Sequence, residues 1–411
     1  MKLIIYTHDF YQGGIDTFLE NLLNNLIKKK NIEIELYTSL VHPSFYKYKN
    51  TLNSNIKVKK FFLPDISELN FFLQKKIKFS FLSKFSILIK YPLILINSIL
   101  IFSWFFYKKP NIFFFISGGL PGPDISLCFL FSKLMVSPFL SIKFFFNFHN
   151  YAIKPKSKLK KIYIKIIFLI TYFISDKLLT VSNSVILDTI SFLNLKKQNK
   201  LKFIHNGSKL LKNSKKDNYH DIKNKLNIDK KYFVFTILGT LDERKGHKFL
   251  LNIYKKLLGI KKDSHLLICG DGSTEERDRL FKIIDSLGIK KDNISFLGFV
   301  NDVDKIFKIT DILLIGSQSG ESFGYPAIEA MQRKIPFVST NFGGLDEVIV
   351  DGSGGYKANY KSEKEFLEKI LKLFNLNQSE LLNLKEKGFQ RYKLKFTDEI
   401  MSEKYNLIFK E

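Results

Sequence analysis

Between Gly316 and Gly344 the chain reads GSQSGESFGYPAIEAMQRKIPFVSTNFGG, with two carboxylates, Glu321 and Glu329, eight positions apart. The apolar run Ile312–Ile315 is expected to be a strand that ends in a small-residue loop holding Glu321. Pro326 suits the first turn of the helix that follows, because its missing N–H would be unpaired there, and Glu329 is expected in that same turn. One carboxylate on a loop and one on a helix can face one cleft and accept hydrogen bonds from two sets of hydroxyls. The N–H groups of Ser322, Phe323 and Gly324 would point at a phosphate arriving at the helix start. Arg244 and Lys245 precede Gly246 at another helix entry. His149 closes the apolar run Ile142–Phe148, and Gly13-Gly14 forms a turn after the first run of the chain.

These residues need a scaffold that brings loops together. Lys2–Thr7, Ile32–Thr38, Ile112–Ser117, Ile142–Phe148 and Lys177–Val181 are short apolar runs separated by helix-length segments, the first of them spanning Asp16 to Ile27. A second series follows: Phe233–Leu238, Leu266–Cys269, Ile294–Leu297, Ile312–Ile315 and Phe337–Ser339, with helices near 246–258, 274–287, 302–309, 325–333 and 362–374. Alternation of this kind predicts parallel sheets wrapped by helices, an α/β class. The Asn206-Gly207 turn and the lysine-rich stretch Lys209–Lys231 mark a boundary. The expected domains are 1–208 and 209–388, with 389–411 a helix returning to the first. Two doubly wound halves in tandem place ligands beyond the carboxyl ends of their strands, in a cleft between them.

A length of 411 residues exceeds what one core supports, in keeping with two domains. Cys128 and Cys269, both among apolar neighbours, give neither a disulfide framework nor a zinc site and fit a reducing compartment. The N-terminus turns polar within a few residues, too soon for a signal peptide, so a cytoplasmic location is expected. Charge is uneven: residues 1–210 hold 30 lysines, no arginine and 10 acidic residues, a net +20, against +6 for the remainder. With 42 phenylalanines the chain is also unusually aromatic, so some of that apolar surface is expected to meet an apolar phase.

The ordered set Glu321-Ser-Phe-Gly, Glu329-Ala330-Met331, Pro336-Phe337-Val338, Gly343-Gly344-Leu345-Asp346-Glu347 and Asp351-Gly352 resembles the Glu-x7-Glu signature of family 4 of the retaining glycosyltransferases (glycosyl transferases group 1). That resemblance implies the GT-B fold of two Rossmann-like domains, nucleotide-sugar donors and no metal cofactor. It extends upstream. Gly239-Thr240…Arg244-Lys245-Gly246 resembles the loop whose cations grip the donor diphosphate, although the family usually has arginine where Thr240 stands, and Arg244 is the candidate substitute. Gly270-Asp271-Gly272 and Phe296–Val300 resemble the segments beneath the nucleoside, with the base at Phe299 and Val300. Gly13–Phe18 resembles the glycine loop that approaches donor phosphates and acceptor, so Gly14 joins the donor set. His149 matches a histidine near the transferred sugar. The implied roles are ribose binding for Glu329, donor-sugar binding for Glu321, and stabilisation of the leaving diphosphate by Lys245, Arg244 and the helix start at Ser322–Gly324. Glu321, His149 and Lys245 form the catalytic set.

A saccharide or lipid-linked saccharide acceptor, in lipopolysaccharide, capsule or exopolysaccharide assembly, is what the resemblance adds on the acceptor side. Two segments bear on it. Leu93–Tyr107 is nearly all apolar but short for a span of ~20 residues, and reads as a buried or interfacial helix. Lys154–Ile174 places five lysines before an apolar run, the composition of a helix lying on an anionic membrane. A peripheral site on the inner face of the plasma membrane is therefore expected. Two rival readings are a nucleotide-sugar epimerase of the same fold, since fold does not fix reaction, and a non-catalytic basic module. No nucleic-acid-binding motif is present, and nucleic acid is not expected as a partner.

Overall fold

The computed structural model describes residues 1–8, 13–64, 82–119, 124–152, 154–195, 199–210 and 219–411, without the side chains of 82–89 and 219–221. The residues just before the Gly13-Gly14 turn and part of the boundary stretch 209–231 thus lie outside the described residues. The chain divides into two compact units, Met1–Gly207 with Asp398–Glu411, and Ser208–Thr397.

The first unit is a seven-stranded, wholly parallel sheet in the order β3-β2-β1-β4-β5-β6-β7. Its strands are β1 (Lys2–His8), β2 (Glu33–Thr38), β3 (Lys57–Lys60), β4 (Ile112–Ser117), β5 (Lys143–Phe148), β6 (Lys177–Thr180) and β7 (Leu201–Phe203). The connecting helices are α1 (Gly14–Leu26), α2 (Phe45–Thr51), α3 (Leu82–Lys108), α4 (Asp124–Val136), α5 (Lys158–Ile174) and α6 (Asn183–Leu193). A parallel sheet is covered on both faces, so its strands read as unbroken apolar runs. The phenylalanine load is used here: Phe113, Phe115, Phe144 and Phe146 enter one core, while Phe114 and Phe145 point to the opposite one. The rings of Phe115 and Phe146 stack across neighbouring strands at 4.7 Å.

The second unit is a six-stranded parallel sheet in the order β10-β9-β8-β11-β12-β13. Its strands are β8 (Phe233–Leu238), β9 (Ser264–Cys269), β10 (Ile294–Gly298), β11 (Ile312–Ile315), β12 (Phe337–Thr340) and β13 (Gly355–Ala358). The helices are α7 (Tyr219–Lys225), α8 (His247–Ile260), α9 (Thr274–Ser286), α10 (Val303–Ile309), α11 (Tyr325–Gln332), α12 (Gly344–Val348), α13 (Glu363–Phe374) and α14 (Gln378–Lys395).

The C-terminal segment differs from expectation. Instead of one helix from 389, α14 runs from Gln378 within the second unit, and a separate α15 (Asp398–Lys410) belongs to the first. Helix α15 packs Met401, Tyr405 and Phe409 into the core beside α1. Two buried hydrogen bonds fix it, from Asn25 Nδ2 to Asp398 Oδ2 and from Asn147 Nδ2 to the Tyr405 hydroxyl, each 2.7 Å.

Helix α3 extends beyond the apolar run read from sequence. Its part Lys90–Lys108 is long and apolar enough to cross a membrane by length and composition, and 28% of it is buried. Its buried stripe, including Ile94, Ile101 and Phe105, packs into the same core as α4 and α5.

Candidate functional site

In each sheet the chain starts in the middle, builds one half outward, then returns to build the other. The first strand of each unit therefore lies beside the strand that starts the return, β1 beside β4 and β8 beside β11. The loops leaving the two strands of such a pair diverge and open a crevice at the carboxyl edge of the sheet.

At the β8/β11 crevice the loop after β8 carries Arg244 and Lys245, and the loop after β11 carries Glu321. The structure brings them together: Lys245 Nζ donates to Glu321 Oε2 at 2.6 Å across 76 positions of sequence. The loops are also joined through their backbones, the Gln318 N–H donating to the Arg244 carbonyl at 2.7 Å. Gly246 makes this approach possible. Its φ is +69°, and a Cβ there would lie 2.0 Å from the Gly316 carbonyl oxygen.

Glu321 is held on several sides. Ser317 Oγ donates to its Oε2 at 2.8 Å, and the Ser317 carbonyl accepts from Thr340 Oγ1 at 2.7 Å. Its own carbonyl accepts the Gly344 N–H at 2.8 Å. Burial works to raise the pKa of this carboxyl, but the Lys245 charge and hydrogen bond, with Ser317 and Arg244 behind them, hold it below the ordinary carboxylate value. Glu321 is ionised and fixed.

Glu329 is in a different state. It falls in the second turn of α11, one turn later than expected, because the helix begins at Tyr325 with Gly324 as its N-cap at φ +103°. Its carboxylate, partly buried, makes no hydrogen bond among the described residues. Burial pushes its pKa up to about 7, with Arg333 opposing and Asp304 adding to the rise. Arg333 is committed to Asp304, Nε to Oδ1 at 2.7 Å, so its charge only partly offsets that rise. A desolvated carboxyl with no donor is one that a ligand's hydroxyls would satisfy.

Arg244 is held by partners on its own loop and on the loop after β11. Thr240 Oγ1 donates to Asp242 Oδ2 at 2.6 Å, and the same oxygen accepts from Arg244 Nη2 at 2.9 Å. Arg244 Nη1 reaches across to the Gly320 carbonyl at 3.3 Å. Thr240 and Asp242 thus orient the guanidinium toward the loop that carries Glu321. Asp242, Ser317 and Thr340 escaped sequence reasoning. Their only signal was a polar side chain at a strand end or within four residues beyond it.

The remaining expected residues fall as follows. Ser322 is half-buried and Gly324 buried at the N-terminus of α11. The Phe323 ring is buried, 5.4 Å from that of Tyr325 and 6.1 Å from that of Phe396, so what it can offer a ligand is its backbone N–H. Phe299 and Val300 lie just beyond β10, two strands from β8, and the Phe299 ring is 55% exposed. Gly14 and His149 belong to the first unit. Gly14 opens α1, where Asp16 Oδ2 accepts the Gly13 N–H at 2.8 Å. His149, just past β5, is buried against Phe18 with ring centroids 4.6 Å apart, and its Nε2 makes no hydrogen bond among the described residues. Burial lowers its pKa to about 3, so the ring is neutral. Among the described residues, no group of three His, Cys, Asp or Glu side chains is placed to hold a metal ion.

Comparison with known proteins bears on the second unit most directly. Residues 218–391 match the model of the family described as glycosyl transferases group 1, nearly the whole of that unit. The resemblance read from Glu321 to Gly352 is thereby borne out as far as similarity to glycosyl transferases group 1. The chain is 26% identical over 235 residues to the capsular polysaccharide biosynthesis glycosyltransferase CapM of Staphylococcus aureus, covering 53% of this chain and 58% of that one. It is 30% identical over 179 residues to an uncharacterized protein of the Klebsiella pneumoniae cps region, covering 42% and 45%. The chain thus spans about half the length of the curated relatives it matches. Among solved structures, Anabaena Alr3699/HepE in complex with UDP and glucose superposes with a TM-score of 0.75 at 15% identity, with both chains covered in full. A glycosyltransferase from Rickettsia africae does so with a TM-score of 0.76 at 18% identity, covering 100% of this chain and 97% of that one. The fold is GT-B, two Rossmann-like units in tandem.

Proposed function

We propose that the chain is a retaining, metal-independent glycosyltransferase of family 4 that moves a sugar from a nucleotide-sugar donor to a saccharide or lipid-linked saccharide acceptor in cell-surface polysaccharide assembly. The observation that carries this reading is the β8/β11 crevice, where the Lys245–Glu321 pair joins the loops leaving those two strands; Glu329, on the helix that follows, makes no carboxylate hydrogen bond among the described residues. In the proposed reaction the anomeric C–O bond to the diphosphate breaks and the acceptor hydroxyl forms the new bond on the same face. The departing diphosphate oxygen takes the acceptor's proton. Lys245, Arg244 and the N–H groups at the start of α11 neutralise the charge that grows on that leaving group. Glu329 accepts hydrogen bonds from the ribose, Glu321 from the donor sugar, and Phe299 with Val300 lies under the base. His149, being neutral, is assigned a hydrogen bond to sugar or acceptor, not a proton relay. Gly14 is assigned the close backbone approach that a glycine turn permits.

The relatives support a polysaccharide setting, and the donor class is supported by the UDP complexes of structural neighbours; UDP-glucose is the natural first probe. A cytoplasmic location, peripheral on the inner membrane face, belongs to the same proposal. Calorimetry with a panel of nucleotide sugars should find a binder whose affinity falls at least about tenfold in Glu329→Ala. Wild-type affinity in that variant, with full transfer, would remove the ribose assignment. A nucleotide-sugar epimerase is separated by product analysis: isomerised donor without an acceptor would favour it over transfer.

A further inference from the structure

Helices α3, α4 and α5 form one layer on the first unit's sheet. They are tied at one end by Lys90, whose Nζ lies 2.8 Å from Asp124 Oδ1 and 3.4 Å from the Tyr163 hydroxyl. Near the other end the rings of Phe106 and Phe139 meet at 5.7 Å. The inward stripes of all three helices enter one core. On a soluble protein the outward stripes would be polar. Here they carry Leu95 and Ile99 on α3, Leu134 and Phe139 at α4, and Ile162 and Ile166 on α5, each between 47% and 67% exposed. An apolar surface shared by three adjacent helices marks an interaction face.

The charges around it select the occupant. Lys156, Lys158, Lys160 and Lys161 are exposed at the start of α5 and have no ion-pair partner among the described residues. Over 90–119, 124–136 and 154–174 the only acidic residue is Asp124, which Lys90 neutralises. A second copy of the same face would oppose lysines with lysines. An anionic bilayer offers hydrocarbon to the stripes and phosphate to the lysines. We infer that the outward face of α3–α4–α5 docks flat on an anionic lipid surface, with α3 lying in the interface and not spanning it. Spanning would pull Ile94, Ile101 and Phe105 out of the core they fill. This deepens the location proposed above, yet stands on the first unit alone and does not depend on sugar transfer.

The test is flotation of the full chain with vesicles of phosphatidylcholine containing phosphatidylglycerol, and with phosphatidylcholine alone, at physiological salt. The wild type should float with the anionic vesicles and much less with the neutral ones. K160E/K161E should lower partition by roughly tenfold or more, since each lysine near such a surface contributes about fivefold. L95E/I99E should abolish flotation. Unchanged thermal unfolding and nucleotide-sugar affinity would show that both variants are folded, and would read out the donor site separately. The inference is overturned by failure of the wild type to float with anionic vesicles, or by flotation that both variants leave intact. It is equally overturned if the wild type forms a dimer in gel filtration that L95E/I99E breaks, which would give the face to a second copy.

Discussion

The two glutamates share a signature but not an electrostatic state, and their pH dependences should run in opposite directions. Glu321 has its pKa lowered in the fold by Lys245 and Ser317 against the pull of burial, so its contribution to stability is present above the ordinary carboxylate pKa and is lost as pH falls through the folded value. Glu329 has its pKa raised to about 7, so its contribution is complete below the ordinary value and is lost as pH rises through 7. Glu329→Gln should therefore stabilise the protein more at pH 8 than at pH 5, measured by denaturant unfolding at both; equal effects would contradict the assigned burial. Nucleotide-sugar affinity should weaken between pH 8 and pH 6, by up to roughly tenfold, because ribose hydroxyls need the ionised acceptor. The same titration on Glu329→Gln should be flat. For Arg244, replacement by alanine should raise the donor KM by about tenfold, and Thr240→Val should produce part of that loss by freeing Asp242. An unchanged KM in both would leave Lys245 as the cation that matters. The signature spacing and Lys245 were legible in the sequence. The ion pair between Lys245 and Glu321 was not, because it joins residues 76 positions apart through a sheet topology that spacing does not encode.

At the scale of elements, strands buried on both faces were the easiest to read: IFFFIS and FVFTIL announce themselves by unbroken hydrophobicity. The strands that escaped are short or exposed. KVKK forms β3 at the sheet edge with charged residues outward, LKF forms β7 in three residues, and GYKA forms β13 directly after a glycine-rich turn. Helix α14 was missed in its first half because it is polar and contains Gly388, a helix-weakening residue. Its place is required, since a Cβ at 388 would lie 2.6 Å from the Gly354 Cα. The element most consequential for the site is the turn at Gly246. Gly246→Ala should destabilise the second unit by about 2–4 kcal/mol, from a left-handed φ and a clash with the Gly316 carbonyl. Chemical denaturation would check this, and a loss within 0.5 kcal/mol or so of wild type would show that the two loops can separate without cost. Tyr405→Phe should cost the first unit about 1–2 kcal/mol by leaving Asn147 with a buried amide N–H and no partner.

For the molecule as a whole, both halves were legible as doubly wound sheets because each repeats strand and helix from a central first strand. The path of the last residues was only partly legible. A helix returning to the first unit was expected, but its start at Asp398 depends on which core receives Met401, Tyr405 and Phe409. The charge asymmetry also acquires a location, since the cationic half carries the exposed lysines at the start of α5 beside an apolar helical face. In the proposed function one nucleotide sugar is gripped by Lys245 at the β8/β11 crevice and by Glu329, whose carboxyl makes no hydrogen bond among the described residues. A crystal structure of the protein soaked with its tightest-binding nucleotide sugar would test this most directly. The ribose hydroxyls are expected on the Glu329 carboxylate and the diphosphate within hydrogen-bond reach of Lys245 or Arg244. A nucleotide seated instead at the β1/β4 edge of the first unit, with Lys245 still bound only to Glu321, would contradict it.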